Sequence, residues 1–239
     1  MDNKKIVVGM IDTDRPPLFM TGPNGQPEGF TVRLAEDMAK ELGVKLEINR
    51  TAKNYEDVVE LVAKKEIDLG MSALSTILPW AKMVYFSHPY LILHYAMLVN
   101  RVQLLAQGKN FSLQDIRAAS VTIGVMRESA YAHIARKTFP HAVLEEFDSF
   151  DDMITAVTEG KVFAVLNNDL FLKRYIKLNP ASAFRLEVQV LEEMENPVAI
   201  AIHPDSPHLL SWINLYLSTK ALPLNADALL KDVLPANLP

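Results

Sequence analysis

The sequence predicts an α/β protein made of two similar lobes. Short apolar runs that read as buried strands alternate with helical periodicities along most of the 239 residues, which is the pattern of βαβ units and a largely parallel sheet. The second half repeats the order of the first, and segment 55–72 aligns without a gap with segment 150–167.

The run Ile6-Val7-Val8-Gly9-Met10-Ile11 reads as a buried strand, followed by a loop rich in Asp, Pro and Gly from Asp12 to Gly29. Phe30, Leu34, Met38 and Leu42 recur every four residues and mark one helical face. Gly43 ends that helix where a left-handed residue is wanted. Val44, Leu46 and Ile48 alternate as a half-buried strand does. A second helix carries Tyr55, Val58, Val59 and Val62, and a strand runs from Ile67 to about Ser72.

The second half reads as strand Val121–Val125, helix Ser129–Lys137, strand Val143–Glu146, helix Phe150–Glu159, strand Val162–Leu166 and a helix from Asp169 to about Leu178. Phe184, Leu186, Val188 and Val190 alternate with polar residues, predicting a strand with one wet face. Val198–Ile202 is a further buried strand, and Ser206-Pro207 reads as the N-cap and first residue of a helix on Leu209, Leu210, Ile213 and Leu217. In the internal match, Tyr55-Glu56-Asp57-Val58-Val59 lies opposite Phe150-Asp151-Asp152-Met153-Ile154, and Ser72 lies opposite Asn167. Each lobe is thereby expected to bring the C-terminal end of a strand to a place where open α/β sheets bind ligands.

Composition excludes several classes. The sequence is 49% apolar and 22% charged, with 24 Lys+Arg against 29 Asp+Glu and a formal net charge of −5, so disorder and a nucleic-acid binder's basic stripe are not expected. Cys is absent, which removes thiol catalysis, disulfides and zinc–thiolate sites. No apolar run reaches a membrane span. The six His residues show no metal-ligand spacing, and neither a phosphate loop nor a Gly-x-Ser-x-Gly elbow is present. Residues 1–5, MDNKK, lead into the first strand without a hydrophobic leader, which fits a cytoplasmic chain or one whose leader has been removed.

The segment Ile67-Asp68-Leu69 through Tyr90 resembles family 3 extracellular solute-binding proteins, the polar-amino-acid binders of ABC transporters. Phe86-Ser87-His88-Pro89-Tyr90 matches that family's Phe-Ser-x-Pro-Tyr segment, and Gly29-Phe30 with Leu34-Ala35 matches its Gly-Phe-x-x-x-Leu-Ala segment. Ile123-Gly124-Val125 and Gly160-Lys161-Val162 with Ala164-Val165 match two further segments. The resemblance implies the type II periplasmic binding fold, two lobes closing on a ligand by hinge bending. Lobe 1 would hold 1–91 plus 197–239, lobe 2 would hold 96–191, and the hinges would lie near 92–95 and 192–196.

Family members that bind amino acids clamp the carboxylate with an Arg and take the ammonium with an acid. In this sequence the Arg position holds Trp80, and the acid position holds Asn168, with Asp169 beside it. Losing the clamp removes a charge-assisted bond worth roughly 1.5–3 kcal/mol. Trp80 is expected to face the ligand, the alternative being a ring packed against the hinge. The resemblance also implies ligand roles for Asp12, for Tyr55 as an aromatic platform, and for Ala73 and Ser75. Asp12 serves equally well as a loop brace, and Ser75 as loop chemistry. In lobe 2, Ser129 and Ala130 sit at a helix N-terminus that favours an anion, where Ser129 also suits an N-cap. Arg15 and Arg127 are each a relocated anion clamp or a solvated surface residue.

Two ligand pictures follow: an aromatic or cationic group held by Trp80, Tyr55 and Asp12, or an anionic group held by Arg15 or Arg127 with Ser129. The expected function is capture of a small polar or amino-acid-like molecule without turnover, outside the cytoplasm and without a cofactor or metal. The expected protein is a monomer, read by an ABC transporter permease or by a signalling partner. The alternatives are a sensor domain of a signalling receptor, a partner-binding module that has lost its ligand, and a cyclohexadienyl-dehydratase-like enzyme.

Overall fold

The computed structural model describes residues 5–108, 113–220, 222 and 224–231, with Leu113 described by its backbone alone. The described residues fall into two compact units, one within Met1–Ile92 and Pro197–Asn225, the other within Leu93–Asn196 and Ala226–Pro239. β1 (Lys5–Ile11) is followed by the short antiparallel pair β2 (Met20–Thr21) and β3 (Pro27–Glu28). Then come α1 (Phe30–Leu42), β4 (Lys45–Ala52), α2 (Tyr55–Ala63), β5 (Leu69–Gly70), the single turn α3 (Leu78–Ala81) and β6 (Tyr85–Phe86). β7 (Leu91–Asn100) runs through the first boundary between the units.

The second unit continues with α4 (Arg101–Ala106), α5 (Leu113–Ala118), β8 (Thr122–Met126), α6 (Ala130–Thr138), β9 (Val143–Phe147), α7 (Phe150–Glu159), β10 (Ala164–Asn168) and α8 (Asp169–Leu178). After a 3-10 turn over Pro180–Phe184, β11 (Leu186–Val198) crosses the second boundary. β12 (Ala201–Ile202) and α9 (Pro207–Thr219) belong to the first unit, and α10 (Ala226–Leu230) to the second.

The two sheets share one plan. The first has the order β4-β1-β5-β12-β6, with β1 parallel to both neighbours and β12 antiparallel to β5. Read from β9, the second runs β9-β8-β10-β7-β11, with β8 parallel to both neighbours and β7 antiparallel to β10. In each unit the chain leaves a middle strand for one side and then crosses to the other, so the strand order reverses at the middle strand. The C-terminal ends of β1 and β5 in one unit, and of β8 and β10 in the other, are therefore the places where ligands are expected.

Helix starts follow from local chemistry. Asn54 Oδ1 accepts the Asp57 N–H at the start of α2, and Ser149 Oγ accepts the Asp152 N–H at the start of α7. The internal match thus extends to the caps, with two acids in each first turn where the helix dipole favours them. Gly43 closes α1 in the left-handed conformation, φ 65°. In the second unit alternate residues of β7 face opposite cores. Met97 and Val99 pack with Ile123, Val125 and Phe139, whereas Ala96 and Leu98 pack with Met153, Val157 and Leu172. A sheet covered on both faces needs such apolar strands, and each large side chain buried contributes about 1.5–3 kcal/mol.

Three expectations change. Phe184, placed on the inner face of a strand, ends the 3-10 turn and is 87% exposed; the alternation begins only at buried Leu186. The segment containing α3 carried no expected element, because one turn is too short to show a period. Residues 197–239 were expected to stay together, but α10 clusters with the second unit. There Lys173 on α8 pairs with Asp227 at 3.1 Å, and Lys177 donates to the Leu230 carbonyl at 2.8 Å. Residues 1–4, 109–112, 221, 223 and 232–239 of those lobe assignments lie outside the described residues.

Gly29 precedes α1 at φ 121°, and a Cβ there would stand 2.5 Å from the Leu18 carbonyl oxygen. Gly29→Ala is expected to cost roughly 1–3 kcal/mol, because it adds backbone strain to that collision. Urea unfolding followed by circular dichroism checks this, with Gly43→Ala, where nothing lies within 4 Å, separating strain from collision.

Candidate functional site

In the first unit the end of β1 is tied to the residues around β5 and to the end of β4. The Ile11 N–H donates to Ser72 Oγ at 3.1 Å, the Met71 N–H to the Gly9 carbonyl at 2.9 Å, and the Asp12 N–H to the Ala52 carbonyl at 2.8 Å. Arg50, on β4, donates to the Ile11 carbonyl at 3.0 Å and to the Asp12 carbonyl at 2.7 Å, and pairs with Asp14 at 2.9 Å. Burial opposes ionisation of Asp14, but the Arg50 and Thr21 bonds outweigh it and hold the carboxyl below its usual range.

The residues just before α2 reach the β1–α1 loop twice. Lys53 Nζ lies 2.7 Å from Asp12 Oδ2, and Arg15 Nε donates to the Tyr55 hydroxyl at 3.1 Å. Arg15 Nη1 also donates to the Asp14 carbonyl at 2.9 Å. The Lys53 bond is the main influence lowering the Asp12 pKa, with help from the Thr13 hydroxyl at 3.0 Å and the charge of Arg50. Lys53 is raised in turn by Asp12. Asp12, directly after β1, thus braces the loop through Lys53 and Thr13.

Around the end of β5, Ala73 has φ 54° and is almost fully buried, and Ser75 is buried and forms an isolated bridge with Val198. Trp80 is the residue expected to face the ligand or to pack its ring against the hinge. It sits on α3, whose start Pro79 favours, and is 2% exposed with its Nε1 lacking a hydrogen-bond partner. Tyr90, which closes the family-like segment, is fully enclosed, and burial pushes its phenol up against the opposing influence of Thr31 and the Ala73 backbone.

In the second unit Glu128, at φ 50°, turns the chain from β8 into α6. Ser129 is the N-cap by backbone geometry, but its hydroxyl donates back to the Met126 carbonyl and caps no N–H. Ala130, the first residue of α6, is buried. Arg127 departs from the anion-clamp expectation: it pairs with Asp148 at 2.6 Å and Glu146 at 3.5 Å, and its side chain is 49% exposed. These acids raise its pKa, the Asp148 bond most of all. A guanidinium committed to two surface carboxylates is a solvated ion pair.

Asn168 and Asp169 are committed too. Asn168 Oδ1 accepts the Phe171 N–H at 3.0 Å as the α8 cap, and its Nδ2 donates to the Tyr131 hydroxyl at 2.8 Å. Asn196 Nδ2 donates to the same hydroxyl at 3.3 Å, and the Tyr131 ring meets Tyr95 edge-on at 5.8 Å. Asp169 is buried; Oδ1 accepts the His94 N–H at 3.1 Å, and Oδ2 lies 3.3 Å from Lys173 Nζ. Asp169 is therefore already paired within its own unit.

Sequence reasoning missed Lys53, Tyr131 and Asn196. Lys53 carried a usable signal, since it precedes the Asn54 N-cap by one residue and so enters the helix on the side of the β1 end. Tyr131 and Asn196 meet only through tertiary folding, 65 residues apart, and no local motif marks them. Asn168→Ala is expected to cost about 1–2 kcal/mol, since the α8 cap is lost and the Tyr131 hydroxyl loses a donor. Guanidinium unfolding measures it, and a change below roughly 0.5 kcal/mol would contradict a structural role for this amide.

The comparisons with known proteins agree with this architecture. A model described as bacterial extracellular solute-binding proteins, family 3, matches residues 6–220. An arginine-binding periplasmic protein of Mannheimia haemolytica is 23% identical over 216 residues, covering 88% of this chain and 83% of the relative. The crystal structure of the ancestral amino acid-binding protein AncCDT-1, a precursor of cyclohexadienyl dehydratase, is 27% identical with a TM-score of 0.74, covering 95% of this chain and 93% of that one. A substrate-binding protein of an amino acid ABC transporter from Streptococcus pneumoniae, bound to L-arginine, matches with a TM-score of 0.74 at 24% identity, over 90% of this chain and 88% of its own. Its likeness speaks for the fold. The chain has the two-lobe type II periplasmic binding fold and belongs to the bacterial extracellular solute-binding proteins of family 3.

Proposed function

We propose that this solute-binding protein captures a small carboxylate-bearing molecule and releases it unchanged to an ABC transporter permease, acting outside the cytoplasm as a monomer. The lobes would be the two compact units, with β7 and β11, which cross the boundaries at 92/93 and 196/197, as the hinge strands. The observation that carries the ligand class is the Arg15–Tyr55 pair: a guanidinium hydrogen-bonded to the hydroxyl of the expected platform tyrosine, Nε to hydroxyl 3.1 Å. With Trp80 at the position of the lost Arg and Arg127 committed to Asp148 and Glu146, Arg15 is the guanidinium that the site residues favour as carboxylate anchor. Such an anchor provides paired donors matched to a carboxylate. The Mannheimia relative and the ancestral neighbour are named as binding proteins, which supports capture without turnover. A net charge of −5 argues against a nucleic-acid partner.

The test is a thermal-shift screen on protein stripped of carried-over ligand by unfolding and refolding. Its panel spans amino acids, aromatic acids, dicarboxylates, polyamines and quaternary amines. A carboxylate at about a hundred times its dissociation constant should add roughly 2.7 kcal/mol of stability. In calorimetric titration of that hit, Arg15→Gln is expected to weaken binding about ten- to hundredfold. Unchanged affinity in Arg15→Gln would remove Arg15 as the anchor. Mass spectrometry of the recovered ligand tests turnover, because a product would make the chain an enzyme. A panel without any shift, on natively folded protein, would favour a partner-binding module.

A further inference from the structure

The placement of Lys53 bears on which carboxylates are accepted, an inference that rests on the solute-binding reading above. Asp12 is the acid at the end of β1, where a ligand-facing carboxylate is expected, and its partner already lies within the protein. Lys53 Nζ holds Oδ2 at 2.7 Å while the Thr13 hydroxyl holds Oδ1 at 3.0 Å. The base of the lysine is fixed, since its backbone N–H donates to Asp57 Oδ2 at 2.8 Å and the next residue, Asn54, caps α2. Its side chain is 78% exposed, so it is anchored at the backbone and solvated along its length.

Neither Asp14, on the same loop, nor the candidate Asp169 offers an alternative seat for a cation. Asp14 pairs with Arg50 at 2.9 Å, and Asp169 is shared between the His94 N–H and Lys173. The position expected to hold the ammonium-binding acid is Asn168, whose amide is divided between the α8 cap and Tyr131. A ligand cation approaching Asp12 must displace a tethered ammonium and then remain beside it, an arrangement opposed by like-charge repulsion. An amine-free carboxylate meets neither obstacle, and the lysine adds to the positive field around Arg15.

We propose that Lys53 is a specificity-determining residue: a tethered cation that occupies Asp12, turns the site away from cationic solutes and favours carboxylates lacking a second positive charge. The prediction differs in kind from the L-arginine bound by the Streptococcus neighbour, and its signal is a single lysine two residues before the platform tyrosine.

The experiment uses the full chain with L-arginine, L-lysine and glutarate as probes in calorimetric titration. The variants are Lys53→Met, Lys53→Arg and the double variant Lys53→Met/Asp12→Asn, with unfolding midpoints as the folding control. Lys53→Met is expected to bind L-arginine or L-lysine at least about tenfold more tightly than the unsubstituted chain, the size of one charge-assisted bond. Lys53→Arg should retain the original selectivity, and the double variant should lose the gain, which assigns it to the uncovered Asp12 carboxylate. Equal affinity of Lys53→Met and the unsubstituted chain for both cationic amino acids overturns the proposal, whether that shared affinity is tight or undetectable. A gain that survives in the double variant overturns it as well. A panel compound whose binding depends on Arg15 would keep the solute-binding reading intact through any of these failures.

Discussion

Arg50 is the group on which the first unit's site depends. A parallel strand that ends at a ligand-binding edge leaves its last carbonyls without ladder partners, and these must be satisfied without closing the edge. Arg50 meets that need from the neighbouring strand. Its guanidinium takes the carbonyls of Ile11 and Asp12, the Thr21 hydroxyl and the Asp14 carboxylate, while lying 5.7 Å from the centre of the Phe19 ring. One partly buried cation thereby sets the path of the whole β1–α1 loop, and with it the positions of Asp12 and Arg15. A lysine, with three donors on one nitrogen, cannot span two carbonyls, a hydroxyl and a carboxylate in one plane.

With the loop fixed by Arg50, the start of α2 can address it from one side. Lys53 and Tyr55 flank the Asn54 cap, and their side chains meet Asp12 and Arg15 respectively. Cap, ion pair and phenol contact fall within three consecutive residues, so helix initiation and site assembly are the same event in the chain. In the second unit, the end of β10 adds neutral groups: the helix cap Asn168 shares the Tyr131 hydroxyl with Asn196, beside the ion pair of Asp169 with Lys173.

The fold was legible because its signals are periodic and local. The four-residue recurrence on α1, the alternation on β4 and the capped starts of α2 and α7 each follow from a few adjacent residues, and the gapless match of 55–72 with 150–167 reflects sheets of the same order. The roles of individual site residues were less legible. A residue's position at a strand end can be read from the pattern, as for Asp12, Arg15 and Tyr55. What the side chain pairs with there cannot, because Lys53, Asp148, Lys173 and Tyr131 arrive from elsewhere in the chain. Trp80 shows the same limit from the opposite direction. A ring at an expected ligand position and a ring in the core have the same sequence appearance. α10 was misplaced because its attachment to α8 runs through Lys173 and Lys177, half the chain's second unit away from it in sequence.

The distribution of positive charge gives the site its character. On the segment before Phe86, Trp80 carries an indole whose Nε1 is buried without a hydrogen-bond partner. An unpaired buried donor costs roughly 1–3 kcal/mol, so Trp80 is kept at some expense to stability. Guanidinium and ammonium groups have meanwhile gathered on the β1–α1 side, as Arg15, Arg50 and Lys53. Arg50 is committed to the backbone and Lys53 to Asp12, so neither can follow a ligand without releasing a structural bond. Arg15 donates to the Tyr55 phenol and the Asp14 carbonyl, so all three cations meet the β1–α1 loop, each through different partners.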